Sequence, residues 1–350
     1  MQYLKNADLP FIPQLGERKG NPYDGREYLY ERDPFRPNWA EVFKMVTSRN
    51  PQAKKKKADN WAPPVSADVS YLNSKRENWI VWLGHACFLI QLNGVRILTD
   101  PQLRDMPFIP RRVQPPFGPE DIKDVDYLLL SHDHRDHVDE QCIKQVVANN
   151  FLTKILCPLG LTRTIQHWVD LADDIRGYQE TPIEEAAWYQ IYDTGPDPLR
   201  ITFLPSRHWC RRGLLDFNRT LWGSFMIEGE GAGEGLGGTP TIYFGGDSAA
   251  TDYWQEIGEL YPSIDVAMLG IGAYSPAFMM QSNHANPEEA YAGYRALGAQ
   301  YWWPMHHGTY DLSWEPAEEP IRRARAVMKN DGLGGRLIES AVNEPWWKIK

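Results

Sequence analysis

The sequence predicts a mixed α/β protein built on two β-sheets with helices on the outside. Three observations carry this expectation. Strand-like runs outnumber helix-like ones, hairpins alternate with strand-helix units, and strand candidates repeatedly end at polar turns bearing His or Asp. At 350 residues the chain is long enough to bury roughly three quarters of its unfolded surface.

Residues 1–64 are rich in Pro, Arg, Lys and Asn without a sustained period, which predicts an extended amino-terminal arm packing on a body formed by residues 65–350. One short helix is expected in the arm over 39–46, where Trp39, Val42, Phe43 and Val46 offer an apolar face after Pro37-Asn38. Such an arm has no core of its own, so it is expected to lie across the body near the functional edge and shape the substrate groove; covering the outside of a sheet is the alternative. The body opens with a β-rich stretch over 79–92, the hairpin signal Asn93-Gly94 and a return strand over 95–99. Tyr127-Leu128-Leu129-Leu130 reads as a buried strand running into a polar loop, with helical spacing following over 142–148. Further strands are expected over 200–205, 221–228, 241–244, 266–271 and 301–304, and a helix over 164–172. Asn286, Pro287, Glu288 and Glu289 supply a cap, a first-turn proline and first-turn acids for a helix that Gly298 closes. Six glycines within 229–238 predict a flexible connection.

A formal net charge of -9 argues against a general nucleic-acid binder. The only basic run, residues 54–57, reads as a solvated linker, with an anionic-lipid contact as the alternative. Cys87, Cys142, Cys157 and Cys210 lie far apart with no CxxC pair, which indicates neither a thiolate zinc site nor a disulfide framework and fits a reducing compartment. The first ten residues lack the apolar core of a signal peptide, and no later stretch approaches the roughly 18 apolar residues of a membrane span. A cytoplasmic protein is expected, with peripheral membrane contact and the oligomeric state left open.

Chemistry concentrates in Ser131-His132-Asp133-His134-Arg135-Asp136-His137. Imidazole nitrogen and carboxylate oxygen are what Zn, Fe or Mn accept when no thiolate is offered. On an extended segment His132 and His134 point the same way and can grip one ion. Asp136 and His137, displaced where the chain turns into a helix, can hold a second. His208, Asp247 and His306 each follow the end of a strand candidate. Taken alone, Asp247 after Gly245-Gly246 would also suit a turn former. His167, within the expected helix, reads as a surface or packing residue.

HxHxDH followed by a later His, an Asp after a strand and a final His resembles the metallo-β-lactamase superfamily. Trp82-Leu83-Gly84-His85-Ala86-Cys87-Phe88, Thr99-Asp100-Pro101, His208-Trp209-Cys210-Arg211-Arg212, Leu221-Trp222-Gly223-Ser224, Gly270-Ile271-Gly272-Ala273-Tyr274 and His306-His307-Gly308-Thr309 make it similar to the branch of N-acyl-phosphatidylethanolamine phospholipase D and its bacterial relatives. The resemblance implies a four-layer αββα sandwich with two divalent ions, zinc before manganese or iron, at one edge. It implies one ion on His132, His134 and His208, the other on Asp136, His137 and His306, and Asp247 bridging both. His306 rather than its neighbour His307 takes the ligand position because Gly308-Thr309 follows at the family's spacing. Arg135 stands where the family often has Tyr. Asp100 resembles the acid that orients a ligand histidine, with a turn cap before Pro101 as the alternative. His284 matches a histidine expected near the substrate; a cap-associated surface histidine is the alternative.

The expected function is a metal-dependent hydrolase. The leading expectation is a phosphodiesterase of phospholipase D type, acting on a small or lipid-like, amphiphilic phosphodiester through hydroxide generated at the two ions, with Asp247, Asp136 and His284 as catalytic residues. A lactonase or amide hydrolase, as in L-ascorbate-6-phosphate lactonase, is the alternative enzyme, and a metal-dependent binding protein without turnover is the alternative from another class.

Overall fold

A computed structural model describes residues 1–32, 34–36, 38–74, 77–177, 180–229 and 240–346. The glycine-rich connection expected over 229–238 lies, beyond Gly229, outside the described residues, as does the side chain of Trp39.

Alternating faces decide the layers. In β3 (Trp79–Trp82), β4 (Phe88–Leu92) and β5 (Val95–Thr99), Ile80, Ile90 and Ile97 face one cluster of buried side chains while Val81, Leu89 and Leu98 face another. A strand buried on both faces is mostly apolar, and these are: the buried polar exceptions are Gln91, whose amide donates to Ser74 O, Arg96, whose guanidinium donates to Leu72 O and Gln91 Oε1, and Thr99, whose hydroxyl donates to Ala86 O. Asn93 (φ 52°) and Gly94 (φ 83°) make the tight turn that joins β4 to β5. The first sheet runs in the order β14-β3-β4-β5-β6-β7-β8, with β6 (Tyr127–Leu129), β7 (Lys154–Pro158), β8 (Ile183–Ala186) and β14 (Pro345–Trp346). The second runs β13-β12-β11-β10-β9, from β9 (Leu199–Leu204), β10 (Ser224–Gly229), β11 (Thr241–Phe244), β12 (Val266–Gly270) and β13 (Tyr301–Met305). Phe88 of the first sheet meets Phe244 and Trp303 of the second at ring distances of 6.3 and 5.4 Å, so the two sheets stack face to face.

Helices close both outer faces. α3 (Glu140–Asn149) and α4 (Thr162–Arg176) pack Cys142, Ile143, Val146, Ile165 and Val169 on the first sheet. α5 (Tyr253–Leu260), α7 (Pro287–Leu297) and α8 (Glu319–Asn330) bring Trp254, Ile257, Tyr294, Leu297 and Ala324 to the second. The architecture is the four-layer αββα sandwich. α7 begins at Asn286, whose side chain accepts from Glu288 and Glu289 N–H, and ends at Gly298 in the left-handed conformation, as its cap residues dictate.

Two expectations change in physical detail. The strand expected over 221–228 begins only at Ser224, because Leu221 N–H donates to Leu159 O and Gly223 N–H to Ser131 O, committing those residues to the loops of the first sheet. The basic run read as a linker lies in α2 (Ala53–Ala58), since Ala and Lys are strong helix formers, and Lys56 pairs with Asp311.

The arm is pinned at both ends. β1 (Gln2–Leu4) pairs with β2 (Asn21–Tyr23), Ile12 N–H donates to Tyr189 O, and Leu9, Ile12 and Tyr28 are buried in the main core. α1 (Trp39–Thr47), capped by Asn38, rests against α6 (Ala277–Met280), with the Lys44 ammonium 4.3 Å from the Phe278 ring centroid. On its described apolar face Val42 is half-buried, while Phe43 and Val46 are 71% and 79% exposed.

Candidate metal centre

All the relevant turns leave the same edge of the sandwich, where β5, β6, β9, β11 and β13 end. Beyond β6 the chain alternates. His132 and His134 bring Nε2 and Nδ1 within 3.0 Å of each other, while Asp133 between them turns away to a buried position near Arg212. Asp100, just past β5, organises this loop. Its carboxylate accepts from Ser131 N–H (2.8 Å) and Ser131 Oγ (2.6 Å) and lies 2.7 Å from His137 Nδ1, while Ser131 Oγ is 2.9 Å from His132 Nδ1. Asp100 therefore orients two imidazoles, which is more than a turn cap does.

The second sheet supplies the opposite wall. His208 Nδ1 donates to Asn283 O (3.0 Å), which turns Nε2 to within 3.1 Å of His134 Nδ1. Asp247 enters past Gly246, which has φ 54°; a Cβ there would sit 2.6 Å from Gly223 O and 2.9 Å from Ser131 Cβ. Only glycine lets the two loops approach so closely. The Asp247 carboxylate then stands at the meeting point of five imidazoles: Nε2 of His137 (3.1 Å), His306 (3.3 Å), His132 (3.7 Å) and His208 (3.7 Å), and Nδ1 of His284 (3.8 Å). Asp136 Oδ2 lies 3.4 Å from His306 Nε2 and 3.6 Å from His137 Nε2.

The structure thus gathers His132, His134, Asp136, His137, His208, Asp247 and His306 into one cluster, with His284 beside it. Within it, His132, His134, His208 and Asp247 present mutually close donor atoms, and so do His85, Asp136, His137 and His306. His306, at φ 58°, faces the cluster; His307 instead stacks on Trp82 (5.3 Å) and on the arm's Trp61 (6.1 Å). His167 is exposed on α4, and Arg135 is exposed at the rim. The residue that pattern reasoning passed over is His85. It appeared only as part of a resembling segment, yet its Nε2 is 3.0 Å from Asp136 Oδ2.

Several atoms here are buried and unpartnered. Both oxygens of Asp247, Nε2 of His137 and both ring nitrogens of His306 lack a hydrogen bond in suitable geometry. Buried carboxylate and imidazole atoms left in this way are costly, and an ion among them would satisfy them together. The donor set, imidazole and carboxylate without thiolate, fits zinc, manganese or iron. Electrostatics divides the cluster. Burial and neighbouring imidazoles push His132 and His208 well below the usual histidine range, and burial lowers His134 to about 4. Burial also opposes charge on His137 and His306, but the carboxylates of Asp247 and Asp136 outweigh it, holding His137 well above that range and His306 at about 9.

Comparison with known proteins identifies the family. The beta-lactamase superfamily domain matches residues 95–307. The N-acyl-phosphatidylethanolamine-hydrolyzing phospholipase D 1 of Caenorhabditis elegans is 31% identical over 327 residues, covering 89% of this chain and 88% of the worm protein. The mitochondrial N-acyl-phosphatidylethanolamine-hydrolyzing phospholipase D of Saccharomyces cerevisiae is 27% identical over 276 residues, covering 75% of this chain and 54% of the yeast protein. Among solved structures, a possible metal-dependent hydrolase from Veillonella parvula shares the fold with a TM-score of 0.57 at 12% identity, over 78% of this chain and 99% of that one. The chain accordingly belongs to the metallo-β-lactamase superfamily of metal-dependent hydrolases, in the branch of the N-acyl-phosphatidylethanolamine phospholipase D homologues.

Proposed function

We propose that this hydrolase is a dinuclear-metal phosphodiesterase of phospholipase D type, acting on an N-acyl-phosphatidylethanolamine-like or other amphiphilic phosphodiester. The observation that carries the reading is the uncommitted Asp247 carboxylate, set between two groups of donors. His132, His134 and His208 would hold one ion, Asp136, His137 and His306 the other, and Asp247 both. Such a pair, when bound, lowers the pKa of water, polarises the phosphoryl oxygen and stabilises the leaving oxygen.

The chain's own residues supply the rest. Asp247, whose oxygens make no hydrogen bond in suitable geometry, orients the attacking water, and the Asp136 carboxylate faces the same space. His284, 14% exposed, is within 3.8 Å of Asp247 and also lines a cavity of about 270 Å³ with Tyr274, Ser275 and Gln281, which suits it to hydrogen-bond a phosphoryl or leaving oxygen. No side-chain nucleophile is required. Ser131 Oγ is committed to Asp100, and burial pushes the Cys87 thiol up to about 12.

The rim favours an amphiphile. Phe108, Leu214, Leu215 and Phe278 are exposed on segments leaving the metal edge, Phe43 and Val46 are exposed on α1, which rests against the α6 that carries Phe278, and the arm's Phe35 meets Trp209, which in turn packs on His134. This supports peripheral contact with a membrane surface. Among the described residues no helix is long and apolar enough to cross one. Four free, buried cysteines support a cytoplasmic setting.

The test is turnover of N-acyl-phosphatidylethanolamine in mixed micelles and of bis(p-nitrophenyl) phosphate, in ¹⁸O-labelled water. One labelled oxygen on the phosphate-bearing product, cleaved on the amide-alcohol side, is the expected result. Preferred cleavage of lactones or amides, with neither phosphodiester consumed, would overturn the reading in favour of the alternative hydrolase.

A further inference from the structure

His85 lies outside the proposed ligand set, yet its position is built with unusual care. It sits at φ 55°, in the turn between β3 and β4, a conformation that side chains other than glycine adopt rarely. The residue before it, Gly84, has φ 96°, and a Cβ there would stand 2.5 Å from the Arg111 guanidinium and 3.1 Å from Thr309 Oγ1. The turn is therefore pressed against the loop that follows β13. Three hydrogen bonds fix it there: His85 N–H donates to Thr309 Oγ1 (2.7 Å), while His85 O accepts from His306 N–H (3.0 Å) and from Trp82 Nε1 (2.9 Å). The imidazole, 2% exposed, then reaches Asp136 Oδ2 at 3.0 Å, with the His306 ring 4.0 Å away and the Tyr310 ring edge-on at 5.0 Å.

One residue thus touches both members of a pair that come from different sheets. Asp136 belongs to the loop after β6 of the first sheet, and His306 to the end of β13 of the second. Besides their own contact at 3.4 Å, His85 ties the two together: its backbone holds the peptide of His306, and its side chain holds the carboxylate of Asp136.

We propose that His85 is a positioning residue that sets Asp136 and His306 in register and so completes the half of the centre formed by Asp136, His137 and His306. This rests on the two-ion reading. The half formed by His132, His134 and His208 has no contact with His85 among the interactions described, so the two halves respond differently to its replacement.

The experiment titrates the metal-free full-length protein with Co²⁺, read by bound-metal stoichiometry and by the visible absorption of each equivalent. His85→Asn keeps a residue that tolerates the left-handed turn but is too short to reach Asp136. It is expected to weaken one equivalent by about 10- to 100-fold while leaving the other unchanged, the usual range for losing a group that orients a ligand. His85→Gln, whose amide nitrogen can reach Asp136, is expected to restore most of that loss. Thr309→Val releases the turn from the other side and is expected to weaken the same equivalent several-fold, which keeps the question decidable if His85→Asn does not fold. Two equivalents bound as tightly as in the wild type by these variants would overturn the inference. So would loss of an equivalent in His85→Asn that Gln does not repair, since His85 would then be a ligand itself. A wild-type protein that takes up fewer than two equivalents would refute the two-ion reading instead.

Discussion

The two halves of the centre are made from the same side chains in different proportions. His132, His134 and His208 surround one position with imidazoles, and only the shared Asp247 adds negative charge. Asp136, His137, His306 and the neighbouring His85 surround the other, where two carboxylates face two of the imidazoles closely. The consequence is electrostatic. In the first half burial keeps the imidazoles neutral, with their lone pairs free; in the second the carboxylates draw protons onto His137 and His306. A cation entering the second half replaces protons, whereas one entering the first displaces none. Construction differs as well. Each half takes two residues from the loop after β6 and one histidine from the second sheet, His208 or His306, but only the second half also has the turn at His85 to hold it together.

Removing what the halves share gives the largest effect. Asp247→Ala is expected to lower metal content from about two ions per chain to below about one, and turnover by at least about 10³-fold. Full metal content with wild-type turnover would show that the halves do not meet at Asp247. Next comes a test confined to the second half. His306→Ala is expected to lose one ion while His307→Ala, whose ring lies between Trp61 and Trp82, keeps both. Elemental analysis of the two variants decides, and the reverse pattern would move the ligand to His307.

A smaller and graded effect concerns pH. Below about 9, His306 carries a proton that competes with the cation. Affinity of the second half should therefore rise as pH increases from 6 to 9, by about tenfold per unit for each proton displaced from His306 and His137. The first half, with burial holding His134 at about 4 and His132 and His208 well below the usual histidine range, should show no slope over that range. Chelator competition at several pH values measures both equivalents, and equal slopes would erase the distinction.

The smallest effect lies outside the centre. Deleting residues 1–60 would strip Leu9, Ile12 and Tyr28 from the core and so confound binding with folding. Phe43→Ser with Val46→Ser changes only exposed side chains of α1. That double variant is expected to raise KM for a long-chain phosphodiester about 5-fold and to leave a small chromogenic one unchanged, because remote contacts help only substrates that reach them. Equal effects on both substrates would mean that the arm is no part of the groove.

Much of this was legible in the chain itself. Buried strands such as β3 and β6 declare themselves by unbroken apolar runs, Asn93-Gly94 by its turn chemistry, and α7 by its caps, because each of these is a local preference of backbone and side chain. The cluster at 131–137 was equally plain, since scarce residue types at short spacing need no tertiary partner to be noticed. β7, β8 and α8 were harder to see. Glu184 and Glu185 make the edge strand β8 look polar, and the mean apolar character of α8 is low although Ile321, Ala324 and Met328 are buried. What the sequence determined alone was therefore the inventory: two sheets, helices outside, and His and Asp residues at strand ends. Which of them share a space, that His306 turns inward while His307 stacks on tryptophans, and that His85 spans Asp136 and His306 were decided only in three dimensions. Those relations depend on two sheets packing face to face and on the left-handed turns at their common edge, and neither is a property of any short stretch of chain.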